Sequence, residues 1–206
     1  MEESRRRRQV SSPLAPAAPP CEIRCVRPLL PLLLLLAGCA HNSVARDVPT
    51  WEARGASVLR AQATIDAPPA VVWDVLTNVG GYHEWNPWLV SAQGEATPGA
   101  GVLARVVLDG TERRADHRVL HVDAPHRFCW RDHGWTTAFA YGQRCRYLEA
   151  TATGTAFRQE LLIAGPFRGT AMKRFGAAMQ AGVDAETAAL KARAEALAQD
   201  LLRIDR

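Results

Sequence analysis

Two kinds of apolar pattern divide this chain of 206 residues. From Leu29 to Ala37 the residues are apolar without interruption, which leaves no polar face for a packed helix to show to water. From Ser57 onward, apolar and polar positions alternate with defined periods instead. Ser57–Ile65 alternates with period two and predicts a first strand. Asp66-Ala-Pro-Pro then predicts a helix start, with an aspartate able to cap and prolines tolerated in the first turn. Val72, Val75, Leu76 and Val79 follow at helical spacing, so this helix has one buried face. Gly80-Gly81 closes it, and a short helical turn through His83 to Asn86 runs into Pro87. Six strand-like segments come next, separated by Gly, Pro and Asp turns: 88–94, 102–108, 113–122, 127–132, 139–151 and 156–164. Thr170–Ile204 reads as one long helix, with Met172, Phe175, Met179, Val183, Leu190, Leu197, Leu201 and Ile204 along one stripe.

The Leu29–Ala37 run is about half the roughly 20 residues a membrane-crossing helix needs. It follows Arg24 and Arg27, carries Pro28 and Pro31 at its start, and ends in Leu-Leu-Leu-Ala-Gly-Cys at Cys39. Positive charge, a short apolar core and small residues before a cysteine resemble a bacterial lipoprotein signal. The resemblance implies that Cys39 carries a lipid anchor and begins the mature chain. On this reading, residues 1–38 are an N-terminal extension and signal, 39–56 a tether, and 57–206 the folded domain. Arg5 to Arg8 lie too far upstream to serve this signal, and a translation start near Val26 would give a compact leader. Ala40 lacks the aspartate associated with inner-membrane retention, so the expected site is the cell envelope, with the outer membrane slightly favoured.

Removing residues 1–38 also changes the charge. The whole chain is +4, but the part from Cys39 onward holds 19 basic and 18 acidic residues. A near-neutral domain lacks the electrostatic footprint of a nucleic-acid binder. No nucleic-acid partner is therefore expected.

One strand, two short helices, about six antiparallel strands and a long C-terminal helix form the element order of the helix-grip fold. Ile65-Asp-Ala-Pro-Pro-Ala-Val-Val-Trp-Asp-Val-Leu-Thr-Asn-Val and Tyr82-His-Glu-Trp-Asn-Pro-Trp-Leu resemble the opening of the START-like superfamily. The polyketide cyclase/dehydrase-type (SRPBCC) branch is the nearest pattern. Val122-Asp-Ala-Pro-His-Arg-Phe-Cys-Trp, Gly154-Thr-Ala-Phe-Arg-Gln-Glu and Gly165-Pro-Phe-Arg-Gly agree with it in order. The resemblance spans about residues 57–203. It implies an α+β architecture, a curved antiparallel sheet of about seven strands wrapped on the long helix around an apolar cavity. It also implies a small apolar ligand of lipid, sterol or polyketide type. It does not specify an activity, because one fold hosts many functions.

Candidate cavity residues follow from side-chain chemistry. Trp85, Trp88, Trp130 and Tyr141 offer large rings with one polar atom each. Met172, Phe175 and Met179 offer an adaptable apolar wall on the last helix. Gln159 shares a strand face with Phe157 and Leu161 and is expected to point inward. Each of these residues is equally readable as ordinary core.

No catalytic residue is assigned. His83-Glu84 lacks the second histidine of a zinc-protease helix. His117 and His121, four apart on a strand, would share a face about 13 Å apart, too far for one metal. Asp116 and His117 should point to opposite faces. Neither a metal nor a cofactor is called for. Entry of a ligand is expected to move Tyr82–Pro87 or a loop against the long helix.

Cys129 and Cys145 remain once Cys21, Cys25 and Cys39 are set aside. Export would allow them to pair. Face parity argues against it, since Cys129 alternates with Phe128 and Trp130 whereas Cys145 shares a face with Tyr147. If both aromatic faces are inward, the sulfurs point apart. Glu186, Lys191, Arg193 and Glu195 read as the solvated face of the long helix, so a monomer is expected. The sequence reading is thus a membrane-tethered carrier of a small apolar molecule. The alternatives are a cyclase- or dehydratase-type enzyme and an envelope interaction protein with a filled cavity.

Overall fold

A computed structural model of the chain describes residues 55–204, so Cys39, the signal segment and most of the tether lie outside the described residues. Seven strands form one antiparallel sheet: β1 (Ser57–Ile65), β2 (Leu89–Gly94), β3 (Gly101–Leu108), β4 (Thr111–Asp123), β5 (Arg127–Asp132), β6 (Tyr141–Ala150) and β7 (Thr155–Ala164). The order is β1-β7-β6-β5-β4-β3-β2, a meander from β2 to β7 with the first strand paired beside the last. Helix α1 (Pro69–Thr77) and a 3-10 helix (Val79–Glu84) fill the β1–β2 connection, and α2 (Arg168–Ile204) crosses the sheet. The helix-grip architecture expected from the sequence is the one observed.

The core lies between the sheet's inner face and α2. Ile65, Val72, Leu76, Tyr82, Phe128, Trp130, Leu148, Val183 and Leu190 are all buried there. Helix α2 is held firmly from its middle onward. The Gln159 amide donates to Val183 O (3.0 Å) and Thr187 Oγ1 (2.7 Å). Lys191 Nζ donates to Thr64 O, and the Asp66 N–H donates to Glu195 Oε1. Arg193 pairs with Glu84 at 2.6 Å. Before Met179, by contrast, none of its residues is fully buried.

Several local expectations are corrected. Asp66 does not cap α1: the N-terminal residue is Pro68, with no side-chain cap, and its carbonyl accepts from Val71 and Val72. The helix begins at Pro69, so Asp66 stands two residues before the N-cap position from which a side chain reaches the N–H groups of Ala70 and Val71. A short 3-10 turn, Trp135–Ala138, fills the gap between the segments read as β5 and β6, and β6 begins at Tyr141 instead of 139. A bulge between Val119 and His121 in β4 turns His121 to the outer face beside Cys129, so His117 and His121 do not share a face.

The cysteine parity argument also fails. Cys129 and Cys145 are direct cross-strand partners in the β5–β6 ladder and form a disulfide. Trp130 pairs with Arg144, and Phe128 with Arg146, so the inner face of β6 carries arginines. Tyr147 belongs to the outer face, where Arg158 stacks 4.1 Å from its ring centre. The aromatic on β6 therefore marked the wrong side.

Candidate functional site

A cavity of about 210 Å³ opens between the sheet and the first half of α2. Its apolar walls are Trp88, Val106, Leu108, Ala115, Trp130, Leu161, Ile163 and Met179. Strand alternation explains the set: Val106, Ala115, Trp130 and Leu161 are inward residues of four strands. Trp88 lies flat against α2 at Gly182, where a Cβ would come within 2.3 Å of the ring. Only glycine lets the helix pass this close.

Beneath these rings lies the chemistry that the sequence reading missed. Arg144 and Arg146 both reach Glu186 of α2, and all three side chains are buried. Glu186, read as solvated, is 1% exposed. The arginines stack as well as pair, with Arg144 4.0 Å from the Trp88 ring centre and Arg146 4.2 Å from Trp130. Two guanidiniums against the Glu186 carboxylate leave one positive charge under the cavity floor, which the Asp132 carboxyl faces from the cavity's polar end, while Arg113 and Arg114 add positive charge to the lining. Nε of Arg144, and Nε and Nη1 of Arg146, make no hydrogen bond among the described residues. Burial lowers Arg144 to about 10 against the pull of Glu186, so it remains charged at neutral pH. Tyr82, whose hydroxyl donates to Leu76 O at 2.7 Å, is pushed up to about 12 by burial.

His117 and Asp132 complete the polar end of the cavity. His117 stacks on Trp130 and places Nε2 3.4 Å from Asp132 Oδ1. Burial, reinforced by Arg144 and Arg146, lowers the imidazole to about 3, so it is neutral at pH 7. Crowding by the surrounding protein raises the Asp132 carboxyl, against a hydrogen bond from the Gly142 N–H. Gly142 leaves room for that carboxylate, since a Cβ there would sit 3.3 Å from Asp132 Oδ2. Asp116 lies on the other face, paired with Arg114, as strand alternation predicts.

Of the sequence candidates, Trp88, Trp130 and Met179 line this cavity. Trp85 lines a separate groove of about 390 Å³ between α1 and the last turns of α2. Tyr141 sits on the opposite face, stacked by Arg131. Met172 and Phe175 are half-buried along α2 beyond the lining, Phe175 with Arg113 over its ring. Gln159 is inward and fully buried, but its amide is engaged by α2. Segment Tyr82–Pro87, expected to move for entry, is pinned by Tyr82 and by Asn86 Oδ1, which accepts from the Trp88 and Leu89 N–H groups.

The fold recurs among solved structures. The ZhuI aromatase/cyclase from Streptomyces sp. R1128 superposes with a TM-score of 0.59 at 17% identity, over 68% of this chain and 94% of that one. TTHA0849 from Thermus thermophilus gives 0.57 at 20% identity, over 68% and 99%. NE0264 from Nitrosomonas europaea gives 0.53 at 16% identity, over 71% and 96%. A comparison of the sequence with curated proteins finds no match. The family model described as polyketide cyclase/dehydrase and lipid transport matches residues 57–195, from the first strand through most of α2, and the chain belongs to that family.

Proposed function

We propose that this protein binds a small apolar molecule bearing an anionic oxygen and carries it at the surface of a cell-envelope membrane. The observation that carries the reading is the cavity itself: tryptophan and aliphatic walls above the Arg144–Arg146–Glu186 cluster, in a lining where Arg113, Arg114 and Arg144 outnumber Asp132. At about 210 Å³ it is below the roughly 300–1,000 Å³ usual for ligand pockets. One or two fused rings fit inside it, and a longer molecule extends through the mouth. Burying about 200 Å² of apolar ligand surface contributes about 5 kcal/mol. The charge below the floor, in a low-dielectric setting, favours a carboxylate or enolate over a neutral head. Family membership supports hydrophobic cargo. The lipoprotein-like signal ending at Cys39 supports envelope anchoring, and the Cys129–Cys145 disulfide suits an oxidising compartment.

Calorimetric titration with 2-naphthoate and with its neutral analogue 2-naphthalenemethanol tests this. The acid should bind at least tenfold more tightly, and the preference should vanish in Arg144→Met. Equal binding of the two would remove the charged head from the proposal, and binding of neither would remove the cavity reading.

A second reading gains from His117 and Asp132, which line the same cavity. A neutral imidazole beside a carboxylate could move a proton during a cyclisation or dehydration. Turnover of a polyketide-like substrate that is lost in His117→Gln, with naphthoate binding retained, would favour that enzyme.

A further inference from the structure

Three aromatic rings stand exposed at one end of the sheet. Trp135 is 80% exposed, Phe139 46% and Phe167 55%. They form a continuous platform: Trp135 meets Phe139 edge-on at 6.0 Å, and Phe139 stacks on Phe167 at 5.7 Å. The backbone beneath is fixed. The Phe167 N–H donates to Phe139 O at 2.9 Å, and Phe139 N–H to Thr136 O at 3.0 Å. Gly165, at φ +106°, allows the β7–α2 connection to approach, because a Cβ would lie 2.6 Å from Phe139 O. Such a platform adds nothing to the core, and water is a poor neighbour for it.

Its flanking sequence is cationic. No acidic residue occurs between His133 and Leu148 or between Leu161 and Val183, whereas Arg168, Lys173 and Arg174 follow Phe167 closely. Arg174 is paired with Asp109, so the attraction to an anionic surface rests on Arg168 and Lys173. Tryptophan and phenylalanine beside lysine and arginine is the composition that settles at the headgroup level of an anionic bilayer. The platform is also next to the cavity. Asp132, Gly142 and Ile163 line the cavity and stand three or four residues from Trp135, Phe139 and Phe167 respectively.

We propose that Trp135, Phe139 and Phe167 dock this domain on an anionic phospholipid bilayer, with the cavity opening beside the contact. The docking stands on the platform alone, and the passage of cargo between bilayer and cavity rests on the carrier reading. Docking through these rings is separate from anchoring through Cys39, because an anchored domain could still hang free of the surface.

The test uses the full chain with phosphatidylglycerol vesicles, plain or brominated in the acyl chains, and compares it with Trp135→Phe. Brominated lipid should quench the emission that Trp135→Phe lacks. Phe139→Ser with Phe167→Ser should abolish that quenching without altering the near-ultraviolet circular dichroism. Unquenched Trp135 emission from protein that co-floats with the vesicles would overturn the docking. So would equal quenching on phosphatidylcholine, which removes the anionic preference. Self-association through the rings, seen as a dimer in sedimentation and lost in the double variant, would overturn it as well. Naphthoate titrated into the same samples separates the two proposals: binding without quenching leaves the cavity reading intact, and quenching without binding leaves the docking intact.

Discussion

Glu186 holds two arginines that would otherwise be buried cations without an anion. Removing one partner of a buried pair leaves uncompensated charge and typically costs about 3–5 kcal/mol. Glu186→Gln should therefore lower stability by about that amount in urea titrations. Replacing Arg144, Arg146 and Glu186 together by aliphatic residues of similar size should be neutral or stabilising. His117 gives a pH signature. The unfolded chain takes up a proton near pH 6.5, but the folded imidazole does so only near 3. Stability is intact above 6.5 and is lost as the pH falls toward 3. At pH 5 the loss is about 2 kcal/mol, read as the difference between wild type and His117→Gln. Asp132 works in the opposite sense, since its raised carboxyl regains stability as the pH falls through its folded value. Performing the comparison in an Asp132→Asn background isolates the histidine.

Among the elements, β1 was legible to the residue, and the long helix to within two at its start, because their periodicities are unbroken. Glu186 was not legible. A glutamate among alanines on a helix looks solvated, and what buries it is a pair of arginines about forty residues away, aligned by the β5–β6 register. The disulfide was hidden for a related reason, since Tyr147 turns its ring to the outer face and parity judged from it inverts β6. The platform was half hidden. Trp135 lay between two segments read as strands, but Phe139 was read as the first residue of β6 and sits instead just past the Trp135–Ala138 turn, before β6 begins at Tyr141. Gly182 shows how tightly α2 and the sheet fit. Gly182→Ala drives a methyl group into the Trp88 ring, and overpacking of this kind costs about 1–3 kcal/mol. Thermal melts should report that loss, and naphthoate affinity should fall with it because Trp88 is displaced from the cavity wall.

At the scale of the molecule, strands β5 and β6 serve both faces of the sheet. Their outer face carries the disulfide and their inner face the charge cluster. Cys129 and Cys145 are 16 residues apart, and closing a loop of that size is worth about 3 kcal/mol. Reduction should lower the melting temperature while leaving charge selectivity in the cavity unchanged, and denatured, unreduced protein should show no reactive thiol from this pair.

The uneven grip on α2 has a mechanical consequence. From Gln180 onward the helix is fixed by hydrogen bonds to Arg60 and Thr64, by Gln159 and by the ion pairs at Glu186 and Arg193. The twelve residues Arg168–Met179 extend from that clamp as a cantilever beside the cavity, about 18 Å long by helical rise. The Phe167 N–H to Phe139 O bond and the exposed Arg174–Asp109 pair hold this segment too, so a bend of about 10°, about 3 Å at its tip, works against those two ties while the clamp stays closed. Phe167 rides on the tip. Contact at the platform and the width of the cavity mouth are then two readings of one bend, and amide exchange across 168–179 should run ahead of 183–198.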